Sequence, residues 1–242
     1  MNELTISPVR GLPELLAGDD LASMIAERAQ LEDGDVLVVA QKAISKVEGR
    51  IVRLDEVEPS AEARELAGES DPRRIEVVLR EAQRVVRARG SLVIAETRHG
   101  FICASAGVDA SNAPEPGTLV LLPVDPDASA AGLRARLHEL TGREVGVVVS
   151  DSFGRPWRQG TTDVAIGSAG VEALRDLKGE RDPTGYELHS TVIAVADEIA
   201  GAAELVMGKL DRAPVAIVRG LDAAGDDMAR DLVMPAERNL FP

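Results

Sequence analysis

The chain has 242 residues, more than the ~100–150 of an average domain, and its 45% hydrophobic content can build a substantial core, mostly of Val, Leu, Ile and Ala because aromatics make up only 2%. Lys and Arg number 27 against 41 Asp and Glu, a formal net charge of -14, which opposes binding to nucleic acid or to an anionic membrane surface. A polyphosphate ligand would therefore need local Lys or Arg side chains or a divalent cation where its phosphates sit.

Strands are predicted at 4–6, 35–40, 91–96, 118–122, 144–150, 188–194 and 214–219, short runs rich in Val, Leu or Ile between turn residues. The first nine residues lack the basic and apolar regions of a signal peptide, and no apolar run approaches the ~20 residues of a membrane span, so a cytoplasmic protein with no membrane partner is expected. Helices are predicted at 21–29 after Asp19 and Asp20, at 72–89, at 128–140 before Gly142, and at 195–207 before Gly208. The longest, 72–89, has Asp71 as N-cap, Pro72 in the first turn, Gly90 as terminator, and Ile75, Val78, Leu79, Ala82, Val85 and Val86 at spacings of three and four. Strands and helices alternate irregularly and no repeat is visible, so the expected class is α+β. Residues 151–185, rich in Gly, Arg and Asp and holding the only Trp, read as a long irregular stretch.

Four segments carry candidate chemistry. After the apolar strand ending at Ala40, Gln41, Lys42, Ser45 and Lys46 place two cations and two neutral polar groups at a strand exit, the local positive charge a phosphate needs. Asp109 and Asn112 lie among small residues that permit close backbone approach, although the same letters also spell an ordinary turn. Asp151 and Ser152 follow a second buried strand and offer oxygen ligands of the kind Mg²⁺ and Mn²⁺ take, with a turn cap as the alternative. Arg155 and Arg158 flank Trp157 as a further anion clamp, Trp157 being equally consistent with plain packing. His138 and His189 are placed in helix and strand and His99 in a turn, while Cys103, the only cysteine, excludes an internal disulfide and reads as a small buried residue. No P-loop, Rossmann, zincin or hydrolase-elbow motif is present.

Gly11-Leu-Pro-Glu14, Gln41-Lys-Ala-Ile-Ser-Lys-Val-Glu-Gly-Arg50, Ala106-Gly-Val-Asp-Ala-Ser-Asn112, Leu122-Pro-Val-Asp-Pro-Asp127, Val149-Ser-Asp-Ser-Phe-Gly-Arg155 and Ala196-Asp-Glu-Ile-Ala200, in this order and over nearly the whole chain, resemble the coenzyme F420-0:L-glutamate ligase family. The resemblance implies one ligase domain over 1–242, with two interleaved subdomains as the alternative arrangement, and an interlaced α+β homodimer. It implies ligation of L-glutamate to F420-0 at the expense of GTP through an acyl phosphate, with Mg²⁺ or Mn²⁺ and help from K⁺. Carried over residue by residue, it makes Asp109, Asp151 and Ser152 metal positions, and Leu12, Pro13, Glu14, Gln41, Lys42, Lys46, Asn112, Met207, Gly208, Lys209 and Leu210 nucleotide positions. Lys209 stands where the archaeal pattern has an acidic metal ligand, which bears on a second metal. Some relatives continue into a flavin-binding domain from a point that resembles residues 236–242; no flavin domain is expected here. A non-catalytic nucleotide-binding module and a metal-dependent phosphatase are the rival readings.

Overall fold

The structure is a computed structural model and describes residues 3–240. Its centre is a five-stranded mixed sheet in the order β1 (Thr5–Pro8), β12 (Val215–Arg219), β2 (Val36–Ala40), β8 (Gly146–Arg155), β9 (Arg158–Ala169). Only β2 and β8 run parallel; the other neighbours are antiparallel. The two parallel strands read as unbroken apolar runs because both of their faces are covered. Leu37, Val39, Val147 and Val149 pack on one face against Leu21 and Ile25 of α1 (Leu21–Ala26), Ile44 of α2 (Gln41–Val47), and Leu133 and Leu137 of α5 (Pro126–Thr141). On the other face, Val36, Val38 and Val148 meet Val195, Ile199, Ala203 and Met207 of α6 (Val195–Met207).

A smaller unit lies between β2 and α5 in sequence. It pairs β3 (Ile51–Arg53) with β7 (Thr118–Val120), and builds a three-stranded sheet from β4 (Ala82–Arg89), β5 (Leu92–Thr97) and β6 (Ile102–Ala104). Two helices, α3 (Ala61–Ala67) and α4 (Pro72–Glu81), cover that sheet through Ala63, Ala67, Ile75 and Val78 against Val93 and Ala95. The remaining strands, β10 (Arg175–Asp176) and β11 (Val192–Ile193), form a short ladder. The architecture is mixed α+β, as expected.

Several expected elements differ. The helix predicted over 72–89 stops at Glu81: Ala82 turns to an extended conformation, and the next eight residues form β4, paired with β5. The apolar spacing was compatible with either element, and pairing with β5, invisible to local periodicity, decides it. The stretch 151–185 is not irregular throughout. Its first half continues β8 to Arg155 and returns as β9, a hairpin tipped by Trp157, which is exposed and takes a positive φ of 57° rather than packing in the core. Of the strand expected at 188–194 only Val192–Ile193 forms, so His189 lies outside it. The segment 41–46, read as a strand exit, is the opening of helix α2. The cap predictions at Asp71 and Gly142 hold, since Asp71 accepts the Arg73 N–H and Gly142 ends α5 in the left-handed conformation, but Gly90, expected to end the 72–89 helix, instead turns the chain between β4 and β5. Cys103 is buried, as expected. In the terminal segment 236–242 a short 3-10 helix, Ala236–Arg238, is formed, and its last two residues, like the first two of the chain, lie outside the described range.

Candidate functional site

The parallel pairing of β2 with β8 ends at Ala40 and Ser150, where β2 leaves the sheet and enters α2 without a loop, while β8 runs on beside β9 into its hairpin. A cleft of 460 Å³ opens at this point. Its walls come from the loop after β1, α2, the turn at Asn112, the middles of β8 and β9, the end of α6 and the turn that follows.

All eleven expected nucleotide positions line it: Leu12, Pro13 and Glu14; Gln41, Lys42 and Lys46; Asn112; and Met207, Gly208, Lys209 and Leu210. Asp151 and Ser152 line it too. Asp109 does not, but its carboxylate lies 2.7 Å from Lys42 Nζ, and Lys42 is part of the wall. The expected anion clamp is not gathered here: Arg155 and Arg158 are absent from the lining, and Arg155 Nη2 donates instead to the Gln159 carbonyl within the hairpin.

The N-terminal wall is tied down at both ends. Arg28 Nε donates to the Gly11 carbonyl at 2.9 Å, and Lys46 bonds the Glu14 carboxylate. Gln41, 1% exposed, accepts the Ser45 hydroxyl on Oε1, while its Nε2 is buried without a hydrogen-bond partner among the described residues. Buried donors of this kind are costly unless matched, so a ligand acceptor in the cleft is the natural complement. Asp109 forms the turn that its sequence allowed and an ion pair that the sequence did not foretell. It accepts the Ser111 N–H and hydroxyl in a tight turn and also binds Lys42. Burial works to raise its carboxyl, but the bonds to Lys42 and Ser111 outweigh it and hold the group below the usual carboxylate range.

Asp151 and Ser152, adjacent on a strand, point to opposite faces. Asp151 shares the field of Lys42 and Asp109, and its carboxyl is pushed up to about 7, by burial first, with the charges of Asp163 and Asp109 adding to it against Lys42. Ser152 turns toward α6, where its hydroxyl donates to Asp163.

The sequence reading missed Asp163, Glu204 and Arg212, which also line the cleft. Asp163 had a signal, a lone carboxylate entering the apolar run Val164-Ala-Ile166 that was taken for irregular chain. Glu204 sits on the last turns of α6, its carboxyl raised by burial and by Asp163, with Lys209 and Lys42 opposing. Lys42, Lys46, Lys209 and Arg212 thus face Glu14, Asp151, Asp163 and Glu204 across one cleft. In a chain of net charge -14, this is the local balance a polyphosphate requires.

Comparison with known proteins bears directly on this cleft. Residues 11–220 match the family model described as F420-0:Gamma-glutamyl ligase. The chain belongs to that family. A relative from Methanopyrus kandleri named Coenzyme F420:L-glutamate ligase is 48% identical over 98% of this chain and 97% of its own length. Proteins of the same name from Methanocaldococcus jannaschii and Archaeoglobus fulgidus are each 44% identical, over 95% and 98% of this chain and 94% and 95% of their own lengths. The matched span of this F420-0:Gamma-glutamyl ligase family member takes in every wall of the cleft, from Leu12 to Pro214. Among its described residues, no helix is long and apolar enough to cross a membrane.

The donor set can be weighed against a divalent cation. Among the described residues, no three His, Cys, Asp or Glu side chains form a ready-made cage. The oxygens of Asp151, Asp163, Ser152 and Glu204 nevertheless meet at one cleft, with the partly buried Asp151 carboxyl pushed up despite the charge of Lys42. A few oxygens, completed by water and substrate phosphates, is the donor pattern Mg²⁺ uses at phosphoryl-transfer sites, so the residues fit the ion.

Proposed function

We propose that this protein joins L-glutamate to F420-0 at the expense of GTP, as a coenzyme F420:L-glutamate ligase of coenzyme F420 biosynthesis. The observation that carries the reading is the convergence of all eleven nucleotide positions with Asp151 and Ser152 on one cleft. In the reaction, a terminal carboxylate oxygen of the precursor attacks the γ-phosphorus of GTP and GDP departs. The glutamate amine then attacks the acyl carbon, phosphate leaves with its bridging oxygen, and the amine gives up a proton. Phosphorylation is needed because a bare carboxylate is a poor electrophile.

In this reading Lys42, Lys46, Lys209 and Arg212 offset phosphate charge, Gln41 Nε2 donates to the nucleotide, and the loop from Leu12 to Glu14 with residues 207–210 encloses it. Asp109, Asp151 and Ser152 hold Mg²⁺ or Mn²⁺, Asp109 exchanging its Lys42 partner for the ion, and K⁺ assists. The divalent ion supplies charge neutralisation on the phosphates as negative charges are brought together. Lys209 takes over charge that a second metal would carry.

The chain is further read as one ligase domain over 1–242, working in the cytoplasm as an interlaced homodimer. The exposed Trp157 at the hairpin tip, 84% accessible, and Leu205 and Leu210 near the cleft support a partner copy. The test is mass spectrometry of the products from F420-0, GTP and L-glutamate, with GDP release followed in parallel. Ligation predicts glutamylated product and glutamate-dependent GDP release. Phosphate release indifferent to the amine would instead mark a phosphatase, and nucleotide binding without turnover a non-catalytic module.

A further inference from the structure

Asp163 reaches the cleft through an irregularity in the sheet. The ladder between β8 and β9 pairs Val149 with Gly167 and then Ser150 with Ala165, so Ile166 is an extra residue, a β-bulge. Past the bulge the β9 residues from Ala165 to Thr161 are displaced by one place, and Ser152 stands opposite Asp163. In unbroken register Ser152 would face Val164, and Asp163 would point with Phe153 to the opposite face. The bulge is held from α6: the Ala165 N–H donates to Asp197 Oδ1 at 2.8 Å. Gly201 lies over the same place, where a Cβ would come 3.6 Å from the Asp163 carbonyl.

The result is a buried carboxylate, Asp163, 5% exposed, with one hydroxyl on each oxygen. Ser150 Oγ donates to Oδ2 at 2.9 Å and Ser152 Oγ donates to Oδ1 at 2.7 Å. We infer that Asp163 is a positioning residue for the cation of the cleft: by taking both seryl protons it leaves the lone pairs of Ser152 Oγ to face the cleft. A hydroxyl has one proton and two lone pairs. An ionised carboxylate can only accept, so with Asp163 in place neither serine has reason to turn its proton toward an incoming cation. The inference rests on the metal reading above. Substituting Asn for Asp163 keeps the shape but adds a donating NH₂ group, which forces one hydroxyl to reverse.

The experiment measures Mn²⁺ affinity of the full chain by calorimetry without nucleotide, for wild type, Asp163→Asn, Ser152→Ala and the double variant, with thermal unfolding as a control of fold. Removal of a group that orients a metal ligand typically costs about 10- to 100-fold in metal affinity, and a loss of that size is expected for Asp163→Asn. Because Asp163 acts through Ser152, the double variant should bind no more than about twofold more weakly than the worse single variant. Wild-type affinity in Asp163→Asn, or losses that multiply in the double variant, would overturn the inference. Should Asp163→Asn not fold, Ser152→Thr, which keeps the hydroxyl, is expected to retain affinity that Ser152→Ala loses, and equal affinities would count against it. A wild-type protein that binds no Mn²⁺ defeats the metal reading itself, a result distinct from any pattern among the variants.

Discussion

Lys42 Nζ lies 2.7 Å from an Asp109 carboxylate oxygen and joins the first turn of α2 to the turn preceding β7. The pair is partly sheltered, with side chains 16% and 30% exposed, so it is more than a solvated surface contact. It also places a cation at the wall of the cleft, where its charge acts on Asp151.

Lys42→Met should therefore weaken nucleotide use. A charge-assisted hydrogen bond is worth about 1.5–3 kcal/mol, which predicts a rise in KM for GTP of roughly 10- to 100-fold. If Lys42 serves the nucleotide through its hold on Asp109, combining the change with Asp109→Asn should cost less than the two effects summed. Steady-state kinetics at varied GTP checks both, and an unchanged KM in Lys42→Met would remove this lysine from the binding site.

The raised carboxyl of Asp151 makes a prediction about pH. Its folded value of about 7 stands above the ordinary 3.8, so the native state binds this proton more tightly than the unfolded chain does. The associated stability is full below about pH 4 and is lost as pH rises toward 7. In chelator, wild-type protein should lose thermal stability over that interval through this group, and Asp151→Asn should flatten the loss and melt several degrees higher at pH 8. Added Mn²⁺ should restore wild type and leave the variant unmoved. Parallel melting curves for the two proteins in chelator would show that the charge of Asp151 is not strained by its surroundings.

Asp127 carries a structural load at the start of α5. It is 6% exposed, accepts the Ser168 and Ala229 N–H groups at 2.9 and 2.8 Å, and binds Arg230 Nε at 2.9 Å. Asp127→Ala leaves two N–H groups without acceptors, each costing about 1–3 kcal/mol when buried. A loss of about 2–4 kcal/mol in urea unfolding is expected. Loss below about 0.5 kcal/mol would mean that these donors find other acceptors.

Glu76 stabilises the start of α3 from a neighbouring helix. It accepts the Ser60 N–H and Arg80 Nε, both at 2.9 Å, and its carboxyl is lowered to about 2, chiefly by hydrogen bonding from the Ser60 side chain, then by the Ser60 backbone and by Arg80. A depressed carboxyl stabilises above its unfolded value of 4.5 and loses that contribution as pH falls toward 2. The site is near solvent, so Glu76→Gln should cost only about 1 kcal/mol at pH 7. The difference from wild type should vanish near pH 2, which acid titration of the unfolding midpoint can follow.

What the sequence determined by itself is what local pattern and block order encode. The apolar runs of β2 and β8, the N-caps at Asp20 and Asp71, the stop at Gly142 and the span of α6 are properties of neighbouring residues, and the structure keeps them. The ordered blocks named the family, and their resemblance supplied residues of the cleft walls before any of those walls could be seen to meet. Tertiary structure decided the rest, because the deciding partners are distant in the chain. Pairing with β5 made 82–89 a strand where helical spacing was equally satisfied. Asp197 on α6 takes the Ala165 N–H beside the bulge that turns Asp163 toward Ser152, and a shift of one residue across β9, beyond the reach of periodicity, brings a fourth carboxylate into the cleft.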